Sequence, residues 1–402
     1  MQRACAAALL TNGTTIIENC GDSNDEQAAL DIIRSLGAIV HATGGQVVIS
    51  SSDRLFRTAY EGKNTIVNVG ESGLSMRMFA PIAALYDHEI TFTGKGSILS
   101  RPMNFFDEHL PSLGVSITSN NGKLPLTIKG PLKPSDITVS GAMSSQFLTG
   151  LLFAFAKSST APVSIHVKDL QSRPYIDLTL SVLKHFGFNV LNKDYQTFTI
   201  HPRSAQLMHS MRYTVEGDWS NAAFLLVAGA IGGSVSLSGN DFHSAQGDKK
   251  IIDALNDCGA HVRIEKDIIS VTKAELRAFR FDATHCPDLF PPLVALASYC
   301  DGDTVIKGVH RLLHKESNRA LTLKNEFKRM NVEIELQNDD MIIHGGVPVK
   351  GAKVSSNNDH RIAMACAVAA LRAKGQTKIS GAEAVNKSYP GFYNDLEKVT
   401  HQ

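Results

Sequence analysis

The stretch that organises this chain is Val69-Gly70-Glu71-Ser72-Gly73-Leu74-Ser75-Met76-Arg77. It follows an extended run, Asn64 to Asn68, and precedes an apolar run, Met78 to Tyr86, that predicts a helix. Two glycines three residues apart allow a tight turn and leave no Cβ to block a ligand. A helix start offers unpaired N–H groups and a positive dipole end, and Arg77 adds a cation. The stretch therefore predicts either a simple connecting turn or a binding site for a phosphate or carboxylate, and the remaining chain favours the binding site.

Length and composition bound the class of protein. The 402 residues, 43% hydrophobic and 20% charged, predict an ordinary globular protein of two domains. A net charge of +1 and the lack of a long apolar run argue against nucleic-acid and membrane partners. The six cysteines show no metal-ligand spacing and no paired framework, so we expect reduced thiols in the cytoplasm and no metal. The segment Ala4 to Leu10 we interpret as the end of a helix, not as a signal peptide.

One pattern recurs five times: an amphipathic helix ends in Gly or Asn, and two alternating strands follow. The terminating residues stand at positions 37, 114, 187, 259 and 331, and subtracting successive positions gives spacings of 77, 73, 72 and 72. Gly is the usual residue just past a helix end, and Asn is the common substitute. The near-constant period predicts an α/β array of about six units. The predicted helices are Asp25–Ala38, Asn104–Val115, Asp177–Val190, Lys249–Val262 and Leu321–Val332.

Six units fit two compact domains of three units each better than they fit a simple solenoid. We expect the first domain at residues 1–212 and the second at 213–402, with a crossover at Ser204 to Met211. A sixth helix, Tyr389 to Val399, ends the chain without a hairpin after it, so the sixth unit is predicted to be incomplete.

Several helix starts carry polar or charged residues that the repeat does not require. Hydroxyl groups at 144, 145 and 172 can cap a helix or bind an anion. Lys315 and Arg319 lie four apart and share a helix face, with Glu316 beside them, so the alternative is a solvated face. Asp288 precedes an apolar helix and is either an N-cap or a base in a cleft.

Taken together, these residues indicate a cleft that binds a ligand with several negative charges. Two carboxylates, Asp288 and Glu316, would then lie in a positive field, which suits proton transfer on a phosphorylated substrate. The cations that we expect to gather there come from both halves of the chain: Arg101, Arg319, Arg361 and Lys387.

With these motifs, the chain resembles the EPSP synthase family, the 3-phosphoshikimate 1-carboxyvinyltransferases, over essentially its whole length. The resemblance implies two inverted α/β-barrel-like domains of three units each, the enolpyruvyl transferase fold. The matching motifs are Gly70-Glu71-Ser72-Gly73-Leu74-Ser75-Met76-Arg77, Arg101-Pro102, Ser144-Ser145-Gln146-Phe147-Leu148-Thr149, Tyr175-Ile176-Asp177, Glu216-Gly217-Asp218, Pro287-Asp288, Lys315-Glu316-Ser317-Asn318-Arg319, Asp359-His360-Arg361 and Lys387.

The resemblance also implies a reaction in which phosphoenolpyruvate and shikimate 3-phosphate give 5-enolpyruvylshikimate 3-phosphate and phosphate. It implies Asp288 and Glu316 as the catalytic acid–base pair, domain closure on the first substrate, no cofactor, and a monomer. The implied phosphoenolpyruvate contacts are Gly73, Arg101, Gln146, Arg319, Arg361 and Lys387. The implied shikimate 3-phosphate contacts are Arg3, Ser144, Ser145, Gln146, Ser172, Tyr175, Asp288 and Lys315.

The sequence departs from the family pattern in three places. The family has a catalytic Lys-Ser pair shortly before the position of Arg3, upstream of Met1, so we expect the true start to lie upstream. The alternative is a catalytically impaired, anion-binding relative. Glu71 stands where the family usually has Asn, and Arg311 where it often has Asn.

The sister enzyme that acts on UDP-N-acetylglucosamine is the nearest rival. It usually carries a Cys in the loop before the Arg-Pro pair. Here Ile98-Leu99-Ser100 precede Arg101 and no Cys is near, which argues against that rival.

Overall fold

The computed structural model of the chain describes residues 1–56, 65–203 and 210–400. The chain forms two compact units, Met1–Val215 and Glu216–Gln402, called here the first and second unit.

Sheets of one design make up the first unit. In each, a parallel pair of strands continues into an antiparallel hairpin, in the orders β12-β1-β3-β2, β4-β5-β7-β6 and β8-β9-β11-β10. The described helices are α1 Gln2–Leu9, α2 Asn24–Ser35, α3 Gly73–Ala83, α4 Asn104–His109, α5 Ser145–Ser158 and α6 Arg173–His185. The described strands are β1 Gly13–Glu18, β2 Ile39–Thr43, β3 Gln46–Ser51, β4 Thr65–Asn68, β5 Glu89–Thr93, β6 Ser116–Ser119, β7 Leu126–Lys129, β8 Ile137–Ser140, β9 Val163–Lys168, β10 Asn189–Lys193, β11 Thr197–His201 and β12 Ser210–Thr214.

The second unit varies the same design. Its sheets run β13-β15-β14, β16-β17-β19-β18 and β20-β21, and within residues 210–400 the last of these is a parallel pair without a hairpin. The described helices are α7 Trp219–Gly232, α8 Ile251–Asp257, α9 Phe290–Ala297, α10 Arg319–Arg329, α11 His360–Ala370 and α12 Phe392–Thr400. The described strands are β13 Ser234–Ser238, β14 His261–Glu265, β15 Ile268–Thr272, β16 Arg280–Asp282, β17 Asp303–Lys307, β18 Glu333–Gln337, β19 Asp340–His344, β20 Lys353–Ser355 and β21 Lys378–Ser380.

The predicted crossover at Ser204 to Met211 is wrong in its last two residues. Residues 204–209 lie outside the described part of the chain, but Ser210 and Met211 begin β12. Met211 pairs with Thr15 of β1 in a parallel register, so the strand belongs to the first sheet. Local composition does not reveal this pairing, because the partner strand is about two hundred residues away.

The residues that end the five repeat helices all adopt the left-handed conformation that the pattern requires. Each helix is followed by an antiparallel hairpin, which the alternating strand pattern predicts. A positive φ is easily reached only by Gly and, less easily, by Asn. The φ angles are 98° at Gly37, 80° at Gly114, 77° at Gly187, 85° at Gly259 and 66° at Asn331.

A second set of helices, apolar on nearly every face, forms the centre of each unit. In the first unit these are α3 and α5, which bury Phe79, Phe153 and Phe155. In the second unit they are α7, α9 and α11. Helices that are apolar all round are buried in a core. The motifs around Gly73, Ser144 and Asp359 lie at the N-terminal ends of three of these central helices, where backbone N–H groups are unpaired.

The described helices include none with both the length and the apolar character needed to cross a bilayer.

Candidate active site

The start of α3, which the opening motif predicts, is a capped helix end packed against a guanidinium group. Ser72 Oγ accepts a hydrogen bond from Ser75 N at 3.3 Å, and Ser75 Oγ donates to Gln2 Oε1 at 2.8 Å. A Cβ added to Gly73 would lie 2.6 Å from Arg101 Nη1. The two predicted residues Gly73 and Arg101 are therefore in direct contact, and only a residue without a side chain leaves room for the guanidinium.

The start of α5 holds Gln146 by both its backbone and its side chain. Ser144 Oγ accepts from Gln146 N at 3.2 Å, so Ser144 is the helix cap. Arg77 Nη1 donates to Gln146 Oε1 at 2.9 Å, and the Arg77 guanidinium carbon lies 5.0 Å from the centre of the Phe147 ring. The sequence indicates Arg77 only as a nearby cation, because its contact with residue 146 is not visible in either motif alone.

The start of α6 gathers three of the predicted shikimate 3-phosphate contacts. Ser172 is buried and has a φ of 54°, a conformation that costs free energy for a residue with a side chain. Arg3 Nε donates to Thr179 Oγ1 at 2.9 Å, and Arg3 Nη2 donates to the Tyr175 carbonyl oxygen at 3.3 Å. Arg3 and Tyr175 therefore lie together, and Ser172 stands at the beginning of the same helix.

Asp288, in the second unit, is surrounded by three cations. Its Oδ1 accepts from Lys315 Nζ at 2.9 Å and from Arg319 Nη1 at 2.8 Å, and its Oδ2 lies 3.4 Å from Arg361 Nη2. Burial raises the pKa of Asp288, but the charges of Arg361, Lys315 and Arg319 outweigh burial and hold that pKa well below its ordinary value. Burial lowers the pKa of Lys315, while Asp288 opposes the change. Asp288 is thus ionised and strongly attracted to its neighbours.

Arg319 is the buried hub of the same group and does not lie on a solvated helix face. Its side chain is 1% exposed and also pairs with Glu316 Oε2 at 2.7 Å and with Asp359 Oδ2 at 3.0 Å. Burial alone would lower the pKa of Arg319, but the negative charges of Asp359, Glu316 and Asp288 outweigh burial and raise that pKa above its ordinary value. A guanidinium that bridges three carboxylates fixes their positions, and its contact with phosphoenolpyruvate stays a prediction.

Asp359 is a functional candidate to which sequence analysis assigned no role. It is fully buried, and its Oδ1 caps α11 by accepting from Arg361 N at 3.0 Å. Its Oδ2 accepts from Ser317 Oγ at 3.1 Å as well as from Arg319. An Asp immediately before an apolar helical run is an N-cap signature, which could have identified the residue.

Arg361 and Lys387 are two further buried cations of the second unit. Arg361 Nη1 has no hydrogen-bond partner among the described residues, although the residue is only 8% exposed. A buried donor without a partner costs free energy, so this nitrogen calls for an acceptor that the described residues do not supply. Lys387 ends a short 3₁₀ helix, Ala382–Lys387, and the following carbonyl of Ser388 accepts from Asn221 Nδ2 at 3.1 Å.

The predicted residues thus fall into two groups, and each group lies within one unit. No group of three or more His, Cys, Asp or Glu side chains suited to a metal ion occurs in the described ranges. The first group consists of Arg3, Gly73, Arg101, Ser144, Ser145, Gln146, Ser172 and Tyr175. The second group consists of Asp288, Lys315, Glu316, Arg319, Arg361 and Lys387.

Repeated α/β units of this design are the enolpyruvyl transferase fold, and solved structures share it. EPSP synthase from Acinetobacter baumannii matches with a TM-score of 0.79 and 24% identity, covering 99% of this chain and 92% of that one. The enolpyruvyl transferase NikO from Streptomyces tendae matches with a TM-score of 0.74 and 17% identity, with the same coverage. The predicted fold class is confirmed.

Sequence comparison identifies the family within this class. The model of the EPSP synthase (3-phosphoshikimate 1-carboxyvinyltransferase) family matches residues 2–396. The 3-phosphoshikimate 1-carboxyvinyltransferase of Clostridium novyi is 36% identical over 401 residues, covering 99% of this chain and 92% of the relative. That of Clostridium kluyveri is 37% identical over 397 residues with the same coverage. The chain belongs to the EPSP synthase family.

Proposed function

We propose that this protein transfers the enolpyruvyl group of phosphoenolpyruvate to the 5-hydroxyl of shikimate 3-phosphate, releasing phosphate. It is then a transferase of the shikimate pathway, which leads to chorismate and the aromatic amino acids. The observation that carries the proposal is the second-unit group, in which three cations surround the ionised Asp288. Family membership over residues 2–396 supports the same reaction.

The buried cations account for binding of phosphoenolpyruvate. This substrate carries a carboxylate and a phosphate, so it brings several negative charges to the site. Arg361 Nη1 lacks an acceptor among the described residues and is a donor for one of these oxygens. In the second unit we assign Arg319 and Lys387 to the same ligand. In the first unit we assign Gly73, Arg101 and Gln146 to it.

The charge on Asp288 suits the first proton transfer once the ligand is bound. In the free protein, neighbouring cations hold the pKa of Asp288 well below its ordinary value, so the carboxylate is a weak base. An anion that pairs with Arg361 and Lys315 neutralises part of that field and raises the pKa of Asp288. Asp288 then accepts the proton of the attacking hydroxyl, and Glu316, held by Arg319, serves proton transfer at the methylene carbon.

The first unit supplies the remaining contacts with shikimate 3-phosphate in this proposal. Helix starts favour anions because their N–H groups and dipole both attract negative charge. The proposed contacts with this substrate are Arg3, Ser144, Ser145, Gln146, Ser172 and Tyr175, together with Asp288 and Lys315.

We further propose that the protein acts as a monomer in the cytoplasm. The six cysteines are free, and five of them are buried, which suits a reducing compartment.

The substrate is tested by incubating the protein with phosphoenolpyruvate and either shikimate 3-phosphate or UDP-N-acetylglucosamine, and measuring phosphate release. We expect phosphate release when the second substrate is shikimate 3-phosphate and none when it is UDP-N-acetylglucosamine. Release with the UDP sugar would favour the sister activity, and binding of shikimate 3-phosphate without release would favour an impaired relative.

A further inference from the structure

Arg77 is a buried cation whose position relative to Gln146 has chemical consequences. It lies on α3 and is 2% exposed, and its Nη1 donates to Gln146 Oε1 at 2.9 Å. A guanidinium has five N–H donors and no acceptor, so the atom that faces Arg77 must be the amide oxygen of Gln146. The NH₂ group then lies on the other side of the planar amide, and its two N–H donors point away from Arg77.

The surrounding packing prevents this pair from separating. Phe147, next to Gln146, lies under the Arg77 guanidinium and stacks on Phe105 with ring centres 4.5 Å apart. A Cβ added to Gly150 of α5 would lie 2.6 Å from the Arg77 carbonyl oxygen, so the α3 and α5 backbones are in close contact. Helices packed this tightly cannot shift to break a side-chain hydrogen bond at their ends.

We propose that Arg77 is a positioning residue that fixes the Gln146 amide with its NH₂ group available to the anionic oxygens of the phosphorylated substrates. This inference rests on the proposed function, because it assigns those substrates to Gln146. Without Arg77, the amide can rotate by 180° and present its oxygen, which repels phosphate and carboxylate oxygens. Arg77 therefore makes Gln146 a donor only, and excludes ligands that would offer a donor at this point.

A double-mutant cycle on the full chain tests the inference, with affinity for shikimate 3-phosphate measured by titration calorimetry. We expect Arg77→Met to weaken binding about tenfold, the worth of one charge-assisted hydrogen bond. In a Gln146→Ala background, the same substitution should change affinity by less than about twofold, because no amide remains to be positioned. An equal loss in both backgrounds would overturn the inference. Arg77→Lys, which keeps a donor, should restore most of the affinity.

Gln146→Glu covers the case in which Arg77→Met does not fold. The carboxylate accepts from Arg77 and preserves the contact, but it has no N–H donor. We expect an unfolding midpoint at least as high as that of the wild type and a loss of affinity of about tenfold or more. Wild-type affinity in this variant would contradict the inference.

A spectroscopic readout separates this inference from the proposed function. The side-chain ¹H–¹⁵N signals of Gln146, assigned by their loss in Gln146→Ala, should shift in Arg77→Lys without any ligand. Unchanged signals would overturn the positioning role. Wild-type protein that binds shikimate 3-phosphate but releases no phosphate would count against the proposed function and not against the role of Arg77.

Discussion

Arg361 Nη2 lies 3.4 Å from Asp288 Oδ2, while Nη1 of the same guanidinium is buried and has no hydrogen-bond partner among the described residues. One end of Arg361 therefore lowers the basicity of Asp288, and the other end needs an external acceptor. A ligand that satisfies Nη1 also weakens the pull on Asp288. Under the proposed function, binding of the anion and activation of Asp288 as a base are coupled through this single side chain.

Replacement of Arg361 tests this coupling. We expect Arg361→Met to weaken phosphoenolpyruvate binding by at least about thirtyfold, because it removes a desolvated charged donor. The pKa of Asp288 should rise, because the cation that lowers it most is lost. Calorimetry and carboxyl NMR measure the two effects. The matched control is Arg263→Met, whose side chain is 75% exposed and pairs with Glu265 on the surface. An unchanged affinity in Arg361→Met would remove Arg361 from the site.

We expect Arg319 to contribute more to the stability of the folded protein than a residue that makes a single ion pair. Its removal leaves Asp288, Glu316 and Asp359 without their shared cation. We expect Arg319→Met to lower the free energy of unfolding by about 3–5 kcal/mol, the usual cost of breaking a buried ion pair. Urea denaturation measures the change. Arg263→Met should lower the free energy of unfolding by less than about 1 kcal/mol. Equal effects of the two substitutions would contradict the stabilising role of Arg319.

The fold was largely predictable from the sequence, because its unit is set by local chemistry. Residues such as Gly187 and Asn331 end their helices with positive φ, and alternation marks the hairpins that follow. The parallel strands β4, β8 and β12 were not predictable as partners of their sheets, because such pairing depends on contacts across the fold.

The candidate site was predictable in its residues but not in its connections. Helix starts and motif matches identified Gln146, Arg319 and Asp288. The hydrogen bond between Arg77 and Gln146 joins residues 69 positions apart. The three acids around Arg319 come from separate segments. Sequence periodicity carries no information about either arrangement.

The contact between Gly73 and Arg101 predicts a selective loss of affinity. In Gly73→Ala, the new Cβ would lie 2.6 Å from Arg101 Nη1 and displace the guanidinium. Because a displaced binding group loses its alignment with the ligand, we expect phosphoenolpyruvate affinity to fall about tenfold. The unfolding midpoint should change little, since a long side chain can move.

The control for that substitution is Gly232→Ala in the second unit. Its added Cβ would meet Leu371 Cδ1 at an ordinary 3.5 Å. Affinity for phosphoenolpyruvate should not change in this variant. A similar loss in both variants would show that the effect does not come from Arg101.

His344 should make stability depend on pH. His344 Nδ1 lies 2.8 Å from Asp303 Oδ1, and His344 Nε2 lies 3.4 Å from Glu335 Oε1. These carboxylates raise the pKa of His344 above 6.5 in the folded state. The folded protein then binds more protons than the unfolded chain, so the contribution is complete below pH 6.5 and is lost as pH rises through the folded pKa. Because the His344 side chain is 33% exposed and both acids are more exposed still, we expect this contribution to stability to be less than about 1 kcal/mol.

Denaturation of the wild type and His344→Gln between pH 5.5 and 8.5 isolates this contribution. The stability difference between the two proteins should shrink as pH rises across that range. A difference that stays constant, or that grows with pH, would contradict the assignment to His344.

The most direct test of the account is phosphorus NMR of the protein with phosphoenolpyruvate and shikimate 3-phosphate, compared with Asp288→Asn. We expect the wild type to convert the phosphoenolpyruvate signal into an equal amount of inorganic phosphate. In the variant, the rate should fall at least about a hundredfold while phosphoenolpyruvate still binds, because three cations remain and only the base is lost. Equal rates in the two proteins would contradict the central role given to Asp288.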